Sequence, residues 1–285
     1  MNINAPFLLG GVHMKKEFDP TILFSVKNKV VFLTGAGGIG EYVAEAYLAN
    51  EAIVILTNRT EEKCRCIRQK LLQKKYKCFE VLPMDQTDPD SIQKIVRYIL
   101  EKYGRIDILF NSVGYSSDAK PEDFSPEEIQ KTMDINFVSA ANLCRIVAKE
   151  AMIPQRSGKI INIGSVGGVM CHSENVFVYE ASKAAIHQMT KSLALIWAKY
   201  NINVNCIAPT WIKTPLTDHY KGDYFEKITQ MHYFNRMSEL SDYVGPTLFL
   251  SSEASSYVSG MILLVDGAWT CGRTVTHEQG FEVEF

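Results

Sequence analysis

Short, almost wholly apolar runs alternate along the chain with longer stretches in which apolar and polar residues recur at helical spacing. Lys29-Val30-Val31-Phe32-Leu33-Thr34 is the first such run, and its lack of polar positions marks a strand buried on both faces of a parallel sheet. Runs over Ala52 to Thr57, Cys78 to Leu82, Ile106 to Phe110, Lys159 to Ile163, Ile202 to Ile207 and Met261 to Val265 read as the later strands. Helices are expected over Glu41 to Asn50, Lys63 to Lys75, Pro89 to Tyr103, Ser125 to Met152, Val178 to about Tyr200 and Ser241 to Leu250. Asp88 is the expected N-cap of the Pro89 helix. Ser125, Pro126, Glu127 and Glu128 supply the next one with a cap, a first-turn proline and an acidic first turn. Strand and helix alternating without a break predict an α/β fold of Rossmann type: a doubly wound, mostly seven-stranded parallel sheet flanked by helices.

The same pattern divides the chain. Residues 1–27, with Pro6, Gly10-Gly11 and Pro20, read as an N-terminal arm, residues 28–270 as a single catalytic domain, and 271–285 as a C-terminal tail. Between about 211 and 237 the periodicity loosens and becomes aromatic, with Tyr220, Tyr224, Phe225, Tyr233 and Phe234, a composition that suits a lid over a substrate, a small helical flap of the core or an oligomer contact. The 285 residues are 46% hydrophobic, enough for a substantial core, and a net charge of −2 gives no electrostatic reason to expect nucleic acid or an anionic membrane as partner. No run reaches the length of a membrane span. Met1 to Gly11 lack the basic start and long apolar core of a secretory signal. Seven scattered cysteines read as reduced thiols of a cytoplasmic protein, and Cys64 and Cys66, two apart on a helix, face different ways, so no metal site is expected.

Chemistry enters at the ends of the strands. The first runs into Gly35-Ala36-Gly37-Gly38-Ile39-Gly40 and then a helix, the arrangement that brings backbone N–H groups and a helix N-terminus up to a pyrophosphate. The second ends in Asn58-Arg59-Thr60, with no acidic residue to bind a ribose 2′-hydroxyl and an arginine able to hold a phosphate, which favours NADP(H). Asp85, with Gln86 beside it, follows the third strand, placed to accept from an adenine amino group. Asn111-Ser112-Val113-Gly114 forms a small-residue turn after the fourth. Ser165 stands at the carboxyl edge of the fifth, 14 residues before Tyr179. Tyr179 and Lys183 stack one helical turn apart, where a fixed ammonium would lower a phenol's pKa from about 10. Tyr98 and Lys102 repeat that spacing on an amphipathic surface helix, so the pair gains meaning only from its place in the chain order.

That order, a glycine turn after the first strand, Asn-x-x-Gly after the fourth, Ser after the fifth and Tyr-x-x-x-Lys on the next helix, resembles the short-chain dehydrogenase/reductases over roughly residues 25 to 270. The resemblance implies Tyr179 as proton donor and acceptor, and Lys183 lowering its pKa while holding the nicotinamide ribose. It implies Ser165 on the substrate oxygen and Asn136 holding a water that extends the proton relay. Gly35, Gly38, Ile39 and Gly40 would seat the pyrophosphate. Asn111 and Gly114 would lie along the adenosine side, and Pro209, Ile212 and Thr214, in a Pro-x-x-Ile-x-Thr pattern, would meet the carboxamide. The sequence departs from the family's Thr-Gly-x-x-x-Gly-x-Gly: the loop after Gly35 is one residue shorter, which puts the pyrophosphate contacts in question. Thr210 and Val113 replace a usual glycine and alanine. The ending Val265-Asp266-Gly267-Ala268-Trp269-Thr270 resembles polyol, sugar and sugar-acid members. The expectation is an NADP(H)-preferring oxidoreductase acting on a small molecule of that kind, assembled as a homotetramer or homodimer. The alternatives are a steroid-like or acyl-carbonyl reductase and a catalytically idle dinucleotide-binding regulator.

Overall fold

The computed structural model describes residues 19–217, 220 and 223–272. Most of the expected N-terminal arm and of the C-terminal tail lies outside those residues, as do positions 218, 219, 221 and 222 of the expected lid. A short helix α1 (Pro20–Leu23), capped by Asp19, precedes β1 (Val30–Thr34). The chain then alternates through α2 (Ile39–Ala49), β2 (Ile53–Asn58), α3 (Glu61–Gln73), β3 (Phe79–Pro83), α4 (Pro89–Tyr103) and β4 (Ile108–Asn111). Seven parallel strands form one sheet in the order β3-β2-β1-β4-β5-β6-β7, with β5 (Gly158–Ile163), β6 (Ile202–Pro209) and β7 (Ile262–Val265) completing it.

Strand β1 shows why an unbroken apolar run was needed. Val31 and Leu33 point into one core with Tyr47, Leu56, Phe110 and Leu250, whereas Val30 and Phe32 enter the opposite core with Ile92, Ile99, Val147 and Trp197. Burying side chains of this size stabilises the fold by roughly 1.5–3 kcal/mol each. Ile53 pairs with Val30 on one side and Ile108 with Val31 on the other, so β1 is central and both its faces are covered.

The expected helix caps form. Ser125 Oγ accepts the Glu128 N–H at 3.2 Å, and Asp88 accepts the Asp90 N–H at 2.9 Å. The helix expected over Ser125 to Met152 is less regular than its periodicity: α5 (Pro126–Met133) widens into a π-helical turn at Asp134–Val138, narrows to α6 (Ser139–Val147), widens again at Ala148–Met152 and ends in α7 (Ile153–Gln155). A π-turn adds one residue to a turn without breaking the helix, so it only shifts the phase of the apolar face by one position, which a run of mixed residues conceals. Helix α8 (Phe177–Trp197) lies beside the first of these turns, and α9 (Tyr224–Gln230) and α10 (Val244–Ser251) precede β7. None of the described helices is long and apolar enough to cross a membrane.

From β1 the chain steps outward to β2 and β3, then returns to set β4 on β1's other side. The order of strands reverses there, and a crevice opens outside their carboxyl ends.

Candidate active site

That crevice is a cleft of about 900 Å³ running from Arg59 and Asp85 at one end to His172, Trp211 and Tyr220 at the other. Its floor is the glycine turn, which the shorter loop still builds. Gly35 has φ +80°, and a Cβ on it would fall 2.6 Å from the Ser112 carbonyl carbon; one on Gly40 would fall 2.2 Å from the Gly35 oxygen. No side chain caps α2 at Gly38, so its N-terminus faces the cleft with backbone alone. Gly40 does not line the cleft; its part is the close approach of α2 to the turn. The strap carrying Thr214 lies over the same floor, with Thr214 Cγ2 2.8 Å from where a Gly38 Cβ would be, and Ile39, Pro209 and Ile212 join it in the wall.

At the carboxyl end of β2, Asn58, Arg59, Thr60 and Lys63 line the wall together. Asn58 Nδ2 donates to the Ala36 carbonyl at 3.2 Å and so braces the glycine turn, and Thr60 caps α3 by accepting the Lys63 N–H. Asp85 accepts the Thr87 hydroxyl at 2.7 Å and its N–H at 2.9 Å; these bonds, with the Arg59 charge nearby, hold its carboxyl below the usual range.

Asn111 stands behind this wall and not along it. Its Oδ1 accepts from Gln86 Nε2 at 3.1 Å and its Nδ2 donates to Asn162 at 3.3 Å, and Asn162 in turn donates to Thr190 at 3.1 Å. This chain of amides crosses the centre of the sheet, where most polar atoms are paired, Gln86 Oε1 being an exception among the described residues. Gln86 belongs to it while still lining the cleft, and Gly114 lines the cleft with Lys183 Nζ 3.7 Å from the position a Cβ would take.

Tyr179, Lys183 and Ser165 meet midway along the cleft. Ser165 sits where β5 turns, its Oγ accepting the Gly167 N–H at 3.1 Å, and its hydroxyl is close enough to the Tyr179 phenol to draw its pKa down. Lys183 is 4% exposed, 5.6 Å from the Tyr179 ring centroid, and donates to the Ile163 carbonyl at 2.9 Å. Burial pushes its ammonium down to about 8. The expectation that this cation lowers the phenol's pKa needs correcting: burial holds Tyr179 above its ordinary value, only partly opposed by the Ser165 hydroxyl, with the Glu180 charge adding to the rise. Spacing places the two groups correctly, but it carries no information on desolvation, which here acts against both charges.

Asn136 lies in the π-turn, outside the cleft lining. Its Oδ1 accepts the Tyr115 N–H at 2.7 Å, and its Nδ2 donates to the Tyr115 carbonyl at 2.9 Å and to Ser182 Oγ at 2.8 Å. It fastens the loop after β4 to α8 directly behind the phenol. The repeated spacing at Tyr98 and Lys102 has another use: both side chains bind Glu80 on the partly exposed flank of α4, away from the cleft.

Two residues at the far end were not singled out from sequence. His172 Nδ1 stands 2.7 Å from Glu180 Oε1, and the two side chains are only 8% and 9% exposed. The signal was present on α8, where Glu180, Lys183 and His187 recur at helical spacing and all are buried. Three ionisable residues on the inward face of one helix is an arrangement that packing alone does not call for.

Residues 35–270 match a family model described as enoyl-(acyl carrier protein) reductase. The chain is 36% identical over 257 residues to an NAD-dependent glycerol dehydrogenase of Listeria innocua, covering 90% of this chain and 98% of that protein. It is 35% identical over 255 residues to a 2-dehydro-3-deoxy-D-gluconate 5-dehydrogenase of Bacillus subtilis, covering 86% and 96%. Its fold matches the crystal structure of a gluconate 5-dehydrogenase from Burkholderia cenocepacia in complex with NADP and tartrate, with a TM-score of 0.84 at 26% identity, covering 90% of this chain and 100% of that one. The chain belongs to the short-chain dehydrogenase/reductase family and is an NAD(P)-dependent oxidoreductase acting on CH–OH groups.

Proposed function

We propose that the chain couples NADP(H), in preference to NAD(H), to the interconversion of a secondary alcohol and its carbonyl on a sugar, polyol or sugar acid, with Asn136, Ser165, Tyr179 and Lys183 as its catalytic machinery. The observation that carries this reading is that Ser165 and Tyr179 meet on the wall of the switch-point cleft, with Lys183 one turn further along α8. A dinucleotide fits the residues present: bare backbone at Gly35 and Gly38, an α2 N-terminus without a side-chain cap, and a β2 end that offers Asn58, Arg59, Thr60 and Lys63 with no acidic side chain among them. Ile39, Asp85, Gln86, Gly114, Pro209, Ile212 and Thr214 complete the proposed cofactor wall. The relatives divide, one named NAD-dependent and one crystallised with NADP, so the preference rests on Arg59.

When bound, the nicotinamide supplies or takes the hydride. The chain's own residues handle the oxygen. Tyr179 gives its proton to a carbonyl oxygen being reduced, or takes one from the alcohol, and Ser165 donates to the same oxygen as charge grows on it. Lys183 sets the charge beside the phenol, and Asn136, whose amide is taken up by Tyr115 and Ser182 and not by a relay water, fixes the loop and helix on either side of it. The strap from about 211 to 237 acts as the lid, supported by Trp211 and Tyr220 in the wall and by Tyr220 stacked on Tyr224 at 4.3 Å. Seven free cysteines support a reducing, cytoplasmic setting.

The test is Tyr179→Phe, expected to lower kcat by about 10²–10⁴-fold while NADPH still raises the melting temperature; undiminished turnover would overturn the assignment. Arg59→Leu is expected to weaken NADPH binding by about 10–100-fold, the loss of a hydrogen bond to a charged group, and to leave NADH within about threefold. Equal losses for both cofactors in a thermal-shift titration would refute the preference.

A further inference from the structure

The far end of the cleft holds a polar arrangement that the proton relay does not use. Glu180 follows Tyr179 in the first turn of α8, yet its carboxylate is turned inward, and Oε1 takes both the His172 backbone N–H at 2.8 Å and the approach of His172 Nδ1 at 2.7 Å. The imidazole is clamped on its other sides. It lies edge-on to Trp211 with ring centroids 5.4 Å apart, and it occupies space opened by Gly167, where a Cβ would come 2.8 Å from Cε1. Trp211 Nε1 is itself closed to solvent, with no hydrogen-bond partner among the described residues. His172 and Trp211 both line the cleft.

We infer that His172, held by Glu180, reads a substrate hydroxyl through Nε2 and fits this site to a neutral polyol or ketose and against an aldonate. The inference rests on the oxidoreductase reading above and narrows its substrate class. With Nδ1 2.7 Å from a carboxylate oxygen, though off the line of a regular hydrogen bond, the ring keeps its proton on that side and presents Nε2 as an acceptor. Burial, which pushes the imidazole below its ordinary value against the pull of Glu180, favours the same neutral form. An acceptor at Nε2 matches a hydroxyl, which can donate to it without bringing a charge into the cleft.

A carboxylate would require a cation, and those described near the phenol are committed. Lys131 lies 2.8 Å from Glu128 and 2.7 Å from the Tyr115 hydroxyl, while Lys183 donates to Ile163. Asp118, hydrogen-bonded to Tyr220, adds a negative charge at this end of the cleft. One relative is named for glycerol and another for a gluconate derivative, so ancestry leaves the choice open and the site has to make it.

The test measures kcat/KM for D-arabinitol, gluconate and 2-butanol with the full chain and NADP or NAD. Wild type is expected to favour arabinitol over gluconate by at least about 100-fold. In His172→Leu the arabinitol-to-butanol ratio should fall about 10–100-fold, chiefly through KM, with His172→Gln intermediate because it keeps an acceptor. Glu180→Gln should move the same ratio in the same direction, since it loosens the ring without touching substrate. His172→Arg should raise the gluconate-to-arabinitol ratio more than tenfold. Melting curves identify any variant that fails to fold, and the remaining variants then decide. An active wild type that prefers gluconate, or a His172→Leu protein whose two alcohols decline in step, overturns this inference alone. A chain that turns over none of the alcohols with either cofactor overturns the function and the inference together.

Discussion

Lys183 shows how one side chain can be worth having for chemistry and costly for the fold. Its ammonium falls to about 8 in the folded protein against 10.5 for an ordinary lysine, because water cannot reach it. Below pH 8 both folded and unfolded chains carry the proton, and the folded state bears the full cost of a buried cation. Between 8 and 10.5 the folded chain releases it while the unfolded chain keeps it, so this cost fades as pH rises. In the cofactor-free protein, the stability of wild type relative to Lys183→Met is therefore expected to improve by up to about 3 kcal/mol across that interval. Denaturant melts at pH 7.5 and 10.5 check this, and a pH-independent difference would show that the lysine is not desolvated. The spacing of Tyr179 and Lys183 was legible in the sequence; the direction of their shifts was not, because it depends on what the rest of the fold excludes.

At the scale of elements, the π-turn at Asp134–Val138 is what aims Asn136. Its side chain joins the loop after β4, the turn itself and α8 through three bonds, so removing it leaves the Tyr115 N–H and carbonyl unpaired. Asn136→Ala is expected to lower stability by about 2–4 kcal/mol and to reduce turnover more than tenfold, with the KM for cofactor moving less than kcat. Asn136→Asp keeps the acceptor and loses the donor, and should fall between. Urea unfolding and steady-state kinetics on the two variants test this; identical behaviour of both would deny the donor any part. The caps at Asp88 and Ser125 could be read in advance because a cap is a local pattern of a few residues. The widened turn could not, since a one-residue shift in the phase of the apolar face is small beside the ordinary irregularity of a helical pattern.

On the scale of the whole molecule, the helices that carry the site also carry an unpartnered surface. Leu195 is 82% and Ile196 55% exposed on α8, and Val138 is 42% exposed at the adjoining π-turn. Large apolar side chains left in water on neighbouring elements fit a homodimer or homotetramer interface built from them. Light scattering is expected to report an oligomer for wild type and a smaller species for Leu195→Glu, and a monomeric wild type would end that reading. Taken alone, the sequence determined the α/β alternation, the central strand, the glycine turn and the order of Ser165, Tyr179 and Lys183, because each follows from short-range periodicity or from chain order on a doubly wound sheet. Only the tertiary structure decided that Asn111 belongs to the interior and not to the cleft, that burial raises the phenol's pKa, and that His172 and Glu180 meet beside Trp211. Those outcomes depend on distance through space and on the exclusion of water, neither of which is written in the spacing of residues along a chain.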